Sequence, residues 1–454
     1  MSGGTALNLE EYKNYIKGKK VCVIGLGRSN MPLISLLSRF GADITACDRR
    51  EDIGEALETL KTLGAEVKLG ESYLDGLEAD IVFHTPGIRP DLLQLEKLKK
   101  SGTKITSEMD LFFELCPCEI FGITGSDGKT TTTTLVCEML KKAGFTCHLG
   151  GNIGRPLIGD IEKIRPEDKV IVELSSFQLF DMTHSPKIAV ITNITPNHLD
   201  WHKDYNEYID AKKNIMRYQG KADRFIVNLD NELTSEIGKS AAGETISFSM
   251  EKKADVCLNK GVICMYGKEI LDTERIRIVG RHNVYNYMTA IAACHGYVSK
   301  EDINFVAENF NGVEHRIELV RTLGGVKYYN SSIDSSPNRT KNTLAVFDKN
   351  VVLIAGGKDK GLPYDEVGKP ICDHVKTLIL IGKTSDKIEE AVRHSGGDIP
   401  EILRATTYEQ AVKLASEKAE NGDVVLLSPA STSFDMFNNF EERGNLFKKL
   451  VNEL

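Results

Sequence analysis

Ile120-Phe-Gly-Ile-Thr-Gly-Ser-Asp-Gly-Lys-Thr130 passes from an apolar strand into a glycine loop, and a helix is expected to begin near Thr131. That order of strand, glycines, lysine, hydroxyl residue and helix is the order of a phosphate cradle. Gly125 and Gly128 let the backbone turn toward an anion, so that the N–H groups of Ser126, Asp127 and the first helical turn at Thr131 point at phosphate oxygens. Lys129 adds a mobile full charge, and Thr130 brings the hydroxyl expected on a Mg²⁺ held between β- and γ-phosphates. The spacing departs from the common G-x-x-x-x-G-K-[ST] pattern: Ile123 stands at the first glycine position, and glycines fall at 122, 125 and 128. The expected ligand of this variant loop is ATP.

The same alternation of short apolar runs and helical stretches extends both ways from the loop. Before it lie Val21 to Ile24, Met31 to Phe40, Ile44 to Cys47 and Ile81 to Phe83. Around and after it lie Val170 to Val172, Ile188 to Thr192 and Phe225 to Val227. A third block opens after Asn311-Gly312 and holds Val326 to Tyr329, Val351 to Ile354, Leu378 to Ile381 and Val424 to Leu427. This rhythm predicts an α/β protein of three domains: an N-terminal Rossmann-like domain at 1–107, a central P-loop ATPase-like parallel sheet at 108–312 and a C-terminal Rossmann-like domain at 313–454. A length of 454 residues fits about three cores.

Composition narrows the class. A net charge of -8 argues against a nucleic-acid-binding surface. No window has the roughly 18 uncharged apolar residues of a membrane span, and the first twenty residues lack a signal-peptide core, so a cytoplasmic chain without membrane insertion is expected. The ten cysteines contain no CxxC pair and read as reduced thiols. No coiled-coil or exposed apolar repeat calls for an oligomer, and a monomer is expected.

Downstream of the loop, Glu173 closes an apolar strand at the end where open α/β sheets bind ligands, making it the candidate to complete a Mg²⁺ shell. Asn193-Ile-Thr-Pro-Asn-His-Leu-Asp-Trp-His202 concentrates His198, Asp200 and His202. Histidines four apart can form part of a zinc site, but Pro196 and the lack of a third strong ligand favour a Mg²⁺ or substrate role for His198. Lys212, on a helix expected from Tyr205 to Tyr218, reads from its residues alone as a solvated cation.

Taken together, Gly122 to Thr130, Gly150-Gly-Asn-Ile-Gly154, Glu173-Leu-Ser-Ser-Phe-Gln178, Asn197-His-Leu-Asp200, Gly280-Arg-His-Asn283 and Glu314-His-Arg316 resemble the Mur ligases of peptidoglycan precursor synthesis, in that family's order and over nearly the whole chain. Val23 to Ser29, Gly356 to Gly361, Leu427 to Asp435 and Phe440 to Gly444 are most similar to its D-glutamate-adding branch. The resemblance implies a cell-wall ligase that uses ATP and two Mg²⁺ ions, with UDP-N-acetylmuramoyl-L-alanine and D-glutamate as substrates. The reaction would run through an acyl phosphate and a tetrahedral intermediate, with domain closure about Asn311-Gly312.

The resemblance also assigns residues. Lys129, His198, Lys212 and Arg316 would be catalytic, with Thr130, Glu173, His198 and Lys212 at the metal. It implies that Lys212 is carbamylated, which reverses the solvated reading. Asn283, Asn286 and Arg316 would join the loop in holding ATP. Gly27, Arg28, Ser29, Asp48 and Asn152 would bind the nucleotide-sugar, and Lys360, Ser433 and Phe440 the D-glutamate. Two positions depart from the pattern: Ser331 stands where an aspartate is usual, and Ile333 where some members have lysine, leaving Asp334 as a possible replacement carboxylate. Other readings of the same chain are another Mur or folylpolyglutamate-type ligase, a P-loop NTPase, or a nucleotide-binding regulator.

Overall fold

The computed structural model describes residues 8–197 and 201–454. Contacts gather the chain into two compact units, one running through Arg275 together with His282–Ala307, the other Ile276–Arg281 with Glu308–Leu454. The first unit carries two sheets and the second carries one.

The N-terminal sheet is parallel and five-stranded, in the order Glu66–Leu69, Asp43–Asp48, Lys20–Ile24, Ile81–His84, Lys104–Thr106. Strand order reverses between Lys20–Ile24 and Ile81–His84, so the turn at Gly25–Ser29 opens at the switch point where such sheets receive ligands. Leu33, Ile34 and Leu37 on the helix Asn30–Arg39 belong to the same buried cluster as Leu157, Ile158 and Ile161 of the central region. This shared apolar core is why the first two sheets form one compact unit.

The central sheet has nine strands. Glu119–Thr124 lies between Lys169–Glu173 and Ile188–Ile191, with Ile123 opposite Glu173 and Thr124 opposite Ile191. Register therefore delivers Glu173 on one side of the glycine loop and Thr192-Asn193 on the other. The sheet is mixed, which differs from the wholly parallel expectation. Val256–Asn259, Val262–Met265 and Lys268–Asp272 extend it as an antiparallel meander. Its two-residue turns, Lys260-Gly261 and Tyr266-Gly267, have both residues at positive φ, the conformation that matches the twist of paired strands.

The second unit orders its strands Glu318–Leu323, Val326–Asn330, Val424–Leu427, Val351–Ala355, Val375–Leu380, Glu401–Arg404. Only the first pair is antiparallel, closed by Gly324-Gly325 at positive φ. Val351–Ala355 is buried along its length, as expected of a strand covered by helices on both faces.

Glu108 opens the helix Glu108–Leu115 with its side chain turned inward, and burial pushes its carboxyl from 4.5 up to about 8. One of its oxygens has no hydrogen-bond partner among the described residues. The folded chain thus keeps a proton that the unfolded chain releases, so this group's stabilisation is complete below about pH 4.5 and is lost as pH rises toward 8. Stability should fall by up to about 1.4 kcal/mol per pH unit across that window. Glu108→Gln should flatten that component in denaturant titrations; an unchanged slope would contradict it.

Candidate active site

The helix after the glycine loop spans Lys129–Lys142, two residues earlier than expected, because Gly128 caps it from the left-handed region at φ 78°. Gly125 has φ 148°, and a β-carbon there would overlap the Thr192 hydroxyl. The loop is braced from the neighbouring strand end: Ser126 N donates to Asn193 O at 2.9 Å, Asp127 N to Asn193 Oδ1 at 3.0 Å, and Thr192 Oγ1 to Asp127 O at 2.6 Å. Lys129 Nζ bends back to the carbonyls of Gly125 (3.0 Å) and Ser126 (2.9 Å). Thr131 stands half-buried in the first helical turn.

Thr130 Oγ1 donates to Glu173 Oε2 at 2.6 Å, and Asn152 Nδ2 donates to Glu173 Oε1 at 2.7 Å. Glu173 is only 2% exposed. An adjacent hydroxyl and carboxylate beside a phosphate loop form the hard-oxygen donor set that Mg²⁺ prefers, so these residues fit that ion. Asn286 Nδ2 donates to Asn283 Oδ1 at 2.9 Å, while Asn286 Oδ1 accepts from Thr132 Oγ1 at 3.3 Å. Both asparagines are thereby brought against the loop helix.

Lys212 lies on the helix Tyr205–Arg217, which Asp204 caps by accepting from Glu207 N. It is 2% exposed, and its Nζ donates to Gly125 O at 2.8 Å above the Tyr208 ring. Burial, reinforced by Lys129, holds its pKa well below the ordinary lysine range. Lys213, by contrast, pairs with the surface carboxylate of Asp210. The solvated reading thus applies to Lys213 and fails for Lys212, whose partner is a loop distant in sequence. His198 lies outside the described residues. His202 is buried, with Nε2 3.0 Å from Ser176 Oγ and its ring stacked on Phe177. Among the described residues no three His, Cys, Asp or Glu side chains are grouped to hold a metal.

A cleft of about 190 Å³ is lined by Arg28, Ser29, Asn152, Phe177 and Gln178, uniting the N-terminal turn with the central sheet. Asp48 is not in its lining. Its Oδ2 accepts from Leu26 N at 2.7 Å and pairs with Arg50 at 2.8 Å, and the Arg50 guanidinium holds the carboxyl down to about 2. Asp48 therefore fixes the turn that carries Gly27. Asn30, in place of a third glycine, donates to the carbonyls of Ile24 (3.2 Å) and Gly25 (2.9 Å) and closes the strand end.

In the second unit, Arg316 occupies a tight turn between His315 (φ 62°) and Ile317 (φ 45°). His315 N donates to Glu318 Oε2 at 2.9 Å, and Ile317 N donates to Ser331 Oγ at 3.2 Å. Ser331 thus braces the backbone beside Arg316. Asp334 faces inward: its Oδ2 accepts from Thr343 and Ser428 hydroxyls, both at 2.8 Å, and burial raises its pKa. This geometry argues against Asp334 as a replacement ligand. Lys358 N donates to Thr432 O at 2.8 Å, joining the Gly356–Gly361 loop to the segment carrying buried Ser433; exposed Lys360 reaches over the Phe434 ring. Phe440 O accepts from Ser332 Oγ at 2.8 Å. Fully buried Arg443 ties these segments together through Ser332 Oγ (3.0 Å), Ser332 O (2.8 Å) and Ser431 O (3.0 Å).

Residues 123–294 match the family model described as the Mur ligase middle domain, and 315–431 match the Mur ligase, glutamate ligase domain. The UDP-N-acetylmuramoylalanine–D-glutamate ligase of Ruminiclostridium cellulolyticum is 50% identical over 465 residues, covering 98% of this chain and 99% of the relative. That of Acetivibrio thermocellus is 51% identical over 461 residues, with the same coverage. The chain belongs to the Mur ligase family.

The fold of this Mur ligase is shared with solved members. UDP-N-acetylmuramate-alanine ligase from Thermotoga maritima aligns with TM-score 0.57 at 19% identity, covering 96% of this chain and 99% of that one. MurF from Acinetobacter baumannii aligns with TM-score 0.57 at 15% identity, covering 97% and 92%. Sequence reasoning missed Tyr208, whose hydroxyl meets Ser126 Oγ at 2.8 Å, and Arg50. Tyr208 was discoverable as the residue four before Lys212 on one helical face.

Proposed function

We propose that this Mur ligase joins D-glutamate to UDP-N-acetylmuramoyl-L-alanine at the expense of ATP, releasing ADP and phosphate. The observation that carries this reading is identity of about half the residues, over essentially the full length, with relatives named for that reaction. We assign the nucleotide-sugar to 1–107, ATP to 108–312 and D-glutamate to 313–454, and place the reaction in the cytoplasm.

In this mechanism the carboxylate of the nucleotide-sugar peptide attacks the γ-phosphorus of ATP. An O–P bond forms, ADP leaves, and the product is an acyl phosphate. The amine of D-glutamate then adds to the activated carbonyl. The tetrahedral intermediate collapses as the amine proton is lost and phosphate departs, leaving the amide.

Lys129, already at the loop, supplies positive charge to the transferring phosphoryl group. Thr130 and Glu173 would hold Mg²⁺, which when bound neutralises phosphate charge; His198 is assigned there by resemblance. Burial, reinforced by Lys129, shifts Lys212 toward the neutral amine that carbamylation requires. Its nitrogen would form a bond to CO₂ and lose a proton, turning the amine into an anionic oxygen ligand. Arg28, Ser29 and Asn152 would orient the nucleotide-sugar, with Gly27 and Asp48 shaping the turn. Asn283 and Asn286 would hold the adenosine side and Arg316 phosphate, while Lys360, Ser433 and the Phe440 backbone would hold D-glutamate.

ADP release should be stimulated by D-glutamate and not by L-glutamate, meso-diaminopimelate or L-lysine. Stimulation by another amino acid would overturn the substrate assignment and keep the ligase chemistry.

A further inference from the structure

We propose that Arg89 is a positioning residue: it clamps the segment that joins the nucleotide-sugar cleft to the phosphate loop. The identity of the cleft's ligand rests on the function proposed above. Arg89 lies between the strand Ile81–His84 and the helix Leu93–Lys100, and each of its five N–H donors has an acceptor. Nε and one terminal nitrogen bond Asp91 at 2.9 Å each. The terminal nitrogens also grip Glu207 at 2.9 and 3.0 Å, and one of them donates to Trp201 O at 2.9 Å. The guanidinium lies 4.9 Å from the Trp201 ring centroid and 5.1 Å from that of Phe180.

The clamped segment leads in two directions. Toward the cleft, Phe177 packs edge-on against Trp201 at 4.8 Å and stacks with His202, and Phe177 and Gln178 line the cleft together with Pro86. Toward the phosphate loop, Glu207 sits in the first turn of the helix Tyr205–Arg217. The next residue, Tyr208, bonds Ser126, and Lys212 bonds the Gly125 carbonyl. Side chains of Arg89 and Glu207 are 19% and 18% exposed, so this is a sheltered bidentate pair rather than a solvated surface contact. A lysine offers one point of charge and cannot reproduce the planar fork.

The test compares the full-length wild type with Arg89→Ala and the milder Arg89→Lys. Amide hydrogen exchange without ligand should speed up in both variants at 174–180 and at 205–209. In steady-state kinetics, KM for UDP-N-acetylmuramoyl-L-alanine should rise about tenfold in Arg89→Ala, with KM for D-glutamate unchanged. Glu207→Ala should act similarly, and the double variant should add little to either single change. A lower melting temperature with unchanged KM and unchanged exchange at 174–180 would overturn the proposal, as would single effects that multiply. If the wild type itself shows no D-glutamate-dependent turnover, the function assignment fails and exchange at 174–180 alone decides the role of Arg89.

Discussion

Lys129→Ala should lower turnover by about 10³-fold or more while leaving the fold intact. The lysine is half-buried at the start of its helix and holds two loop carbonyls, those of Gly125 and Ser126. Water can take over those two acceptors, so the melting temperature should scarcely move. Lys212 also reaches the Gly125 carbonyl, from the buried side, but burial drives it toward the neutral amine. The missing charge therefore has no substitute. Turnover measured by ADP release, alongside a thermal melt, checks this. A variant that keeps most of its turnover would remove Lys129 from the chemistry.

Lys212→Ala should cost at least about 10²-fold in turnover, and Lys212→Arg should not restore it. A buried lysine is expensive to keep charged, and burial with Lys129 nearby drives this one toward the neutral amine. Only that form reacts with CO₂. Lowering pH through the depressed pKa protonates the amine and removes its nucleophile, so carbamate occupancy and activity should fall together on acidification. Protein equilibrated with ¹³C-labelled CO₂ should give one carbamate resonance that Lys212→Ala lacks. Wild-type protein that is fully active without such a resonance would contradict carbamylation and leave Lys212 as a support for the Gly125 carbonyl.

Strand positions were legible where apolar runs are buried on both faces. Val21 to Ile24, Ile120 to Thr124 and Val351 to Ile354 each lie within an observed strand. The meander at 256–272 was not, because its turns use Lys260-Gly261 and Tyr266-Gly267 rather than Asn-Gly or Asp-Gly, and its strands are only four or five residues long. At the site, the glycine loop and Glu173 could be read locally, since chain order alone brings strand, loop and helix together. Lys212 could not: its burial depends on a contact 87 residues away in sequence. The Arg89 clamp is equally hidden, because its partner Glu207 is 118 residues distant and no local pattern marks either residue. Asp48 shows the opposite limit. Its place at a strand end was visible, but its commitment to Leu26 N and Arg50 needed the folded turn.

The most direct test of the central claim follows one oxygen. With both carboxylate oxygens of UDP-N-acetylmuramoyl-L-alanine labelled with ¹⁸O, reaction through an acyl phosphate transfers one label to each phosphate released in D-glutamate-dependent turnover, leaving the other in the new amide carbonyl. Unlabelled phosphate would mean that water attacks ATP and that the chain is not a ligase of this chemistry.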